Sequence, residues 1–327
     1  MTEIVVIGGG PAGLSTALVF ARRGLDTTVI EKRSFPVIKA CGEGLMPGGV
    51  DSLKRLVPQE LINKIEYHQF AGIRYVAPNG ECASGYFGKG DGWGIERSEL
   101  SKLLRQAVEQ EPGINILENT VATVEGSAEQ PIVHFNSQTL RPKLLIAADG
   151  LHSPIRRWAE LNGPPSKLKR WGLRQHYQIT PWTNLVEVHW SKDMEAYVTP
   201  VSPNTVGIAV LSHRELISSW QKPISLKETL EVFSNLDPKL LSSEAKDQLI
   251  GIGPLHQTVK RTGTGKVVLV GDAAGYLDAI TGEGISNAME QALLIDRILK
   301  KQKEMPSIGE LVIDYANQLP ALMRRYY

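Results

Sequence analysis

Ile4-Val5-Val6-Ile7-Gly8-Gly9-Gly10-Pro11-Ala12-Gly13, answered downstream by Glu31, decides how this chain is read. Four apolar residues without alternation predict a buried strand, the glycines a tight turn, and the stretch to Arg23 a helix. Gly8 permits the turn, Gly10 leaves room for a pyrophosphate against the backbone, and Gly13 lets the helix lie close to the strand. Residues 25–30 predict a second strand ending at Glu31, where a carboxylate can accept both hydroxyls of an adenosine ribose. Strand, turn, helix, strand and acid, in that order, predict a dinucleotide site.

Later segments choose the dinucleotide. The apolar stretch 266–270 runs into Gly271-Asp272-Ala273-Ala274, and Thr281-Gly282-Glu283-Gly284-Ile285 then opens a helical pattern to about residue 299. An aspartate at a strand end beside small residues can reach a ligand hydroxyl. The glycine-opened helix can turn its positive end toward a ring that becomes anionic on reduction. NAD has no group that needs this second site, whereas FAD has both a ribityl hydroxyl and such a ring. In between, Gly94-Ile95-Glu96-Arg97-Ser98-Glu99-Leu100 leads into a helix with Arg97 at its start, placed to pair with a pyrophosphate. Leu144-Leu145-Ile146-Ala147-Ala148-Asp149-Gly150 is a buried strand ending in Asp-Gly, followed by Ser153, Arg156 and Arg157.

These ordered motifs resemble one flavoprotein superfamily, which holds the para-hydroxybenzoate hydroxylase type of monooxygenase and the geranylgeranyl reductase type of oxidoreductase. The resemblance implies FAD contacts from Gly13, Glu31, Arg97, Asp149 and Asp272. The full cofactor set carried with it is Gly8, Gly10, Pro11, Ala12, Gly13, Glu31, Lys32, Cys41, Gly42, Arg97, Val121, Asp149, Gly150, Asp272, Gly282, Gly284 and Ile285. The expected fold class is α/β: a discontinuous Rossmann-like FAD-binding domain with an inserted, mainly antiparallel β-sheet substrate domain. The scattered nucleotide motifs assign 1–70, 95–160 and 263–300 to the first and 71–94 and 161–262 to the second, with a C-terminal helix in 301–327. Within the insertion, 72–77 and 81–87 predict a hairpin around Pro78-Asn79-Gly80. Strands are expected near 173–179, 185–190, 196–199 and 206–211, and a helix over 226–248.

Composition narrows the partners. The 327 residues carry a formal net charge of +1, which gives no electrostatic case for nucleic acid. Two cysteines, Cys41 and Cys82, make neither a disulfide framework nor a metal cluster, so no metal is expected. No apolar run approaches the roughly 20 residues that span a bilayer, although transient membrane contact stays open. A first strand at Ile4 leaves no room for a leader, so the expected setting is the cytoplasm. No second glycine-rich strand-turn-helix occurs, so NAD(P)H is expected as a transient donor without a domain of its own.

The segment Lys39-Ala40-Cys41-Gly42-Glu43-Gly44-Leu45-Met46-Pro47 resembles the cysteine–glycine loop of geranylgeranyl reductase-like proteins, where the cysteine lies near the isoalloxazine. By its residues alone Cys41 reads equally as a small buried hydrophobe. A catalytic thiol would need a depressed pKa. Ser286 and Ala279 stand where aromatic hydroxylases usually carry asparagine and proline. Ala196-Tyr197-Val198-Thr199-Pro200 in turn departs from the reductases' aromatic-phenylalanine-proline signature. Candidate substrate-pocket residues are Cys41, His176, His189, Trp190, Tyr197, Pro200 and Ala279. Alternation puts Val186, Val188 and Trp190 on one face of a strand and Glu187 and His189 on the other, without saying which face meets the flavin. Trp93, Trp171 and Trp182 read as packing residues.

The first expectation for function is an FAD-dependent monooxygenase using NAD(P)H and dioxygen on a small hydrophobic substrate, aromatic or polyketide-like. The alternatives are a geranylgeranyl reductase-like enzyme saturating carbon–carbon double bonds of an isoprenoid or lipid, and a non-catalytic flavin-binding protein. No acid–base pair is assigned from sequence.

Overall fold

A computed structural model describes residues 3–165, 170–213, 226–279, 282–301 and 307–324. Thr281 of the second glycine motif lies outside them. The central sheet has six strands in the order Gly263–Thr264, Val267–Leu269, Leu144–Ala147, Ile4–Ile7, Thr27–Ile30 and Ile114–Leu117. All neighbours run parallel except the first pair, and the register aligns Ile7 with both Ile30 and Ala147, and Ala147 with Leu269. The strands therefore end together at one carboxyl edge, where open α/β sheets bind ligands. The glycine turn, Glu31, Asp149 and Asp272 all follow those ends. These strands are buried on both faces, which is why they read as unbroken apolar runs rather than alternating ones.

The helix Pro11–Ala21 packs back onto this sheet, and its interior is almost wholly buried. Gly8 has φ +114°, and a methyl group on it would sit 2.2 Å from the Ala148 carbonyl oxygen. A methyl on Gly13 would lie 1.8 Å from the Gly8 carbonyl oxygen, so helix and strand touch backbone to backbone. Gly9 is equally constrained, since a Cβ there would meet the Phe35 ring at 2.6 Å and the Glu31 Cβ at 3.0 Å. No motif rule assigns this middle glycine a role; its need arises from contacts with Glu31 and Phe35 beyond the second strand.

Arg156 explains why two distant motifs recur together. Buried, it donates from Nε to Asn162 Oδ1 at 2.8 Å, from Nη1 to the Ala273 carbonyl at 3.1 Å, and from Nη2 to the Leu151 carbonyl at 2.8 Å. One guanidinium so rivets the segment after Asp149-Gly150 to the turn that carries Asp272.

The second large sheet has seven strands in the order Ile250–Ile252, Arg170–Gln178, Thr205–His213, Met194–Ser202, Leu185–Trp190, Gly72–Val76 and Cys82–Tyr86. It is antiparallel apart from the parallel pairing of Leu185–Trp190 with Gly72–Val76. Its outer face packs on a cluster built from Leu173, Val198, Ile208, Leu230 and Phe233.

Three details depart from the expectations. The helix expected over 226–248 is two short helices, Leu226–Leu230 and Pro238–Ser242, the second opened by Asp237, whose side chain accepts Lys239 N–H at 2.8 Å, and by Pro238 at its first position. Gly92–Gly94, expected in the inserted layer, pairs instead with Gly44–Leu45 and His68–Phe70. A small antiparallel sheet of Thr123–Ser127, Gln130–Phe135 and Gln138–Leu140 lies beyond the expectations; its middle strand alternates buried and less buried residues, but the two outer strands are short, polar and mostly exposed. The terminal helix Ile308–Met323 is opened by a capping box between Ser307 and Glu310.

The Gly13→Ala variant is expected to lose about 1–3 kcal/mol from backbone overpacking. Gly48→Ala, in the helix Pro47–Leu56 where no atom lies within 4 Å of the added methyl, is expected to be neutral or slightly stabilising. Thermal unfolding of the two proteins side by side measures the difference.

Candidate functional site

The carboxyl edge of the central sheet forms a groove lined by four motifs. Gly10 starts the first helix and leaves open space, its nearest neighbour being Arg97 Nη2, 3.7 Å from where a Cβ would stand. Glu31 is buried at the end of its strand. Its Oε2 accepts from Gly9 N–H at 2.6 Å and its Oε1 from Arg33 N–H at 2.9 Å, which fixes the carboxylate while leaving each oxygen a further lone pair. Lys32 beside it is exposed, and Val121 is two-thirds exposed.

Arg97 begins the helix Arg97–Gln110 and is 6% exposed, yet its Nε has no hydrogen-bond partner. Burial pulls its pKa down, against the opposing influence of Cys41, Asp272 and Glu43. A guanidinium keeps its charge in any such setting, so this is a buried cation that an anion in the groove would satisfy. Pro11 and Ala12 complete the turn, and a methyl on Gly271 would meet Ala12 at 2.7 Å, which brings the Asp272 turn beside the phosphate helix. Asp272 pairs with Lys39. Asp149 Oδ2 accepts from Ile155 N–H at 3.2 Å, while its buried Oδ1 is unpaired; burial raises its pKa, opposed by the bonds from Ser153 and Ile155.

At the far end the helix Gly284–Lys301 begins at Gly284, preceded by Gly282 at φ +65°. In its first turn Asn287 Oδ1 is buried without a partner. A small cavity of about 10 Å³ lies between this turn and Gly271 and Asp272, so the two late motifs adjoin. Met46 closes the corner, its Cε 3.6 Å from the Gly282 Cβ position.

The cysteine loop runs between these parts. Gly42 offers its carbonyl to Thr199 Oγ1 at 2.9 Å, and Glu43, at φ +59°, donates its N–H to Cys41 Sγ at 3.3 Å. Burial raises the Cys41 thiol pKa, against the pull of the Arg97 charge. The thiol is therefore held protonated, which suits contact rather than nucleophilic attack.

The seven-stranded sheet turns one face toward the groove. Val188, Tyr197 and Ala209 share one row across three strands and pack with Leu151, Leu211 and Leu255; Tyr276 and Ala279 abut them. Tyr197 and Ala279, two of the substrate-pocket candidates, both belong to this cluster, and the Val188 face is the one turned toward the groove. Trp190 shares that face at its outer edge, 44% exposed and tilted against Tyr75 with ring centroids 5.7 Å apart. Pro200 meets the groove side through its backbone, its carbonyl oxygen 1.7 Å from the Gly94 Cβ position.

Two candidates lie elsewhere. His189 is on the opposite face, its Nε2 3.3 Å from Glu187 Oε2, and it lines a separate cavity of about 310 Å³ with Arg74, Cys82 and Trp182. Strand alternation separates it from Tyr197. His176 faces the cofactor side but is buried within a cluster of charges, with Nε2 2.6 Å from Glu43 Oε2 and Nδ1 2.8 Å from Asp247 Oδ2. Lys39, Glu43, Arg174 and Asp247 were not singled out from sequence; each meets its partner across long stretches of chain, and no spacing rule reports such meetings.

Residues 1–302 match the profile of a family described as the FAD binding domain. Digeranylgeranylglycerophospholipid reductase 1 of Methanothermobacter thermautotrophicus is 27% identical over 320 residues, covering 90% of this chain and 76% of its own. Menaquinone reductase of Mycobacterium tuberculosis is 26% identical over 319 residues, covering 91% and 76%. Among solved structures, Pseudomonas aeruginosa PqsL in complex with 2-aminobenzoylacetate superposes with a TM-score of 0.84 at 17% identity, covering 99% of this chain and 93% of that one.

The residues present fit FAD. A buried unpaired cation faces the open phosphate turn, and an unpaired buried amide oxygen stands at the start of the late helix. Replacing Arg97 with methionine is expected to weaken FAD binding by tenfold or more, because a hydrogen bond to a charged group is worth about 1.5–3 kcal/mol. Titration of flavin fluorescence on the apoprotein measures it.

Proposed function

This chain belongs to the FAD binding domain family and is an FAD-dependent oxidoreductase, and from that premise we propose that it reduces carbon–carbon double bonds in a hydrophobic isoprenoid or quinone-like lipid. The observation that carries the proposal is the cysteine–glycine loop, held between the late helix and the groove-facing sheet. The relatives matched over nine-tenths of the chain, a digeranylgeranylglycerophospholipid reductase and a menaquinone reductase, support the same reading.

FAD, when bound, supplies hydride chemistry at its ring. The chain's own residues do the rest. Arg97 neutralises the diphosphate, and the carboxylate of Glu31 orients the adenosine ribose. The positive end of the helix Gly284–Lys301, with Ile285 in its first turn, favours negative charge on the reduced ring. Leu151, Val188, Ala209 and Leu255 exclude water and accept an apolar chain by burial alone. Tyr75 and Trp190, exposed at the edge of that face, give a lipid-sized substrate an apolar way in. NAD(P)H is the donor of this proposal, binding transiently in the open groove.

Hydroxylation of an apolar ring with dioxygen is the second reading. It is favoured by the predominantly apolar cluster, in which Leu151, Val188, Ala209, Leu211 and Leu255 surround Tyr197 and, among the described residues, no carboxylic acid or histidine belongs to the cluster. Oxygenation asks mainly for dry space, whereas double-bond reduction also needs a proton.

Under the first reading, an NAD(P)H-reduced holoenzyme given a polyprenyl lipid or menaquinone without oxygen yields a product two hydrogens heavier per turnover, by mass spectrometry. Turnover only in air, with one oxygen atom gained and stoichiometric oxygen uptake, would establish the second reading and defeat the first.

A further inference from the structure

Glu43 is one of the most deeply buried carboxylates among the described residues, 1% exposed, and the partners of its carboxylate come from two other segments of the chain. Its Oε1 accepts Arg97 N–H at 2.8 Å, with Arg174 Nε 3.9 Å away; its Oε2 faces His176 Nε2 at 2.6 Å. Its backbone carbonyl accepts Ile95 N–H at 3.0 Å. Beyond His176, Asp247 faces the other ring nitrogen at 2.8 Å, accepts His176 N–H at 2.8 Å and pairs with Arg174. Both ring nitrogens thus lie against carboxylates, with Arg174 Nη1 also 3.0 Å from Nδ1, and the two carboxylates favour the doubly protonated imidazolium. Two carboxylates and two cations then balance in a buried space.

The position of this cluster is what gives it consequence. Glu43 follows Cys41-Gly42 directly and holds the first residue of the Arg97 helix, while His176 and Arg174 stand on the substrate-side sheet. Gly207, on the adjoining strand, leaves the gap in which they meet: its Cβ would lie 3.0 Å from Glu43 Oε2 and 3.4 Å from His176 Cδ2. The left-handed backbone of Glu43, at φ +59°, is uncommon for a residue with a side chain and costs energy that the ion cluster offsets.

We infer that Glu43 is a positioning residue of the flavin site, clamped by His176 and Asp247 so that the cysteine loop and Arg97 keep their places only while the substrate sheet is docked. Cofactor affinity is thereby tied to the seating of the sheet. The inference needs FAD to bind at the groove and is independent of which substrate is turned over.

The charge state of His176 gives the inference a signature. Burial pulls its pKa down, but the hydrogen bonds to Asp247 and Glu43 and the Glu43 charge outweigh that and the opposing Arg174, raising it to about 9. Asp247 is held at about 2: burial raises it, and the bonds and charges of His176 and Arg174 overcome that. A raised histidine stabilises fully below its unfolded value of about 6.5 and loses that contribution as the pH climbs to about 9. The other titratable groups against the cluster lie outside the window or the contact. The Cys41 thiol is raised above 9.0, Tyr177 is raised to about 12, and Lys246 is engaged with Glu96 at 2.6 Å.

The test is FAD affinity from pH 6 to 10, read by flavin fluorescence and the visible band, for the wild type and for Glu43→Gln, His176→Gln and Asp247→Asn. Wild-type affinity is expected to fall between pH 6.5 and 9. Glu43→Gln and His176→Gln are expected to bind FAD at least about tenfold more weakly at pH 7, some 1.4 kcal/mol, with the pH dependence flattened and the visible band shifted. Lys246→Ala, which removes the partly exposed contacts of its ammonium with Glu96 and Thr205 and none with Glu43, His176 or Asp247 side chains, leaves all three readouts near wild type. Variants that melt earlier but keep wild-type affinity, band position and pH slope would make the cluster a purely structural ion network and overturn the inference. Should the variants not fold, a flat wild-type affinity across the window overturns it equally, and a step near pH 9 in protein that stays folded supports it.

Discussion

Register in a parallel sheet is the constraint on which this molecule depends. Because Ile4–Ile7, Thr27–Ile30, Leu144–Ala147 and Val267–Leu269 run the same way and stop level with one another, whatever follows each strand is delivered to one edge. Segments as far apart as residues 8 and 272 become neighbours for that reason alone. The arrangement is made rigid by close backbone contact at Gly8 and Gly13 and by the guanidinium of Arg156, which satisfies carbonyls from two of the four motifs. Each is a short-range interaction, so the groove tolerates little change where they act.

Against this rigid edge the protein leaves charge unsatisfied on purpose of binding rather than folding. Buried polar atoms are nearly always paired, yet Arg97 Nε and Asn287 Oδ1 are not. Both stand in the groove, one at the phosphate turn and one at the late helix. Other buried atoms, such as Trp171 Nε1 and Thr262 Oγ1, are unpaired too; what distinguishes these two is their place, where an anionic, ring-bearing dinucleotide offers partners.

The inserted sheet divides its work between its faces. Pairing of Val188 with Tyr197, and of Tyr197 with Ala209, makes one face an apolar wall over the groove; Glu187 and His189, one residue out of phase, are sent to the opposite side. The same sheet also reaches the cofactor loop through Thr199 and His176. A single layer therefore offers a hydrophobic surface to substrate and a charged clamp to the loop beside the flavin.

Residue order determined the cofactor edge, because its signals are local: an apolar run, a glycine where backbone must approach backbone, and an acid at a strand end. The strands, turn and helix that carry Gly8, Gly10, Gly13, Glu31 and Asp272 were readable on those grounds. The alternating strands of the insertion were readable too, but periodicity names two faces without saying which is inward. Packing against Leu151 and Leu255 decided that, placing Tyr197 over the groove and His189 away from it. Tertiary structure alone brought Glu43 to His176 and Asp247, and Lys39 to Asp272. Ion pairs between segments 71 to 233 residues apart leave no pattern in the chain, since their geometry comes from how the elements dock and not from any local preference of the residues themselves.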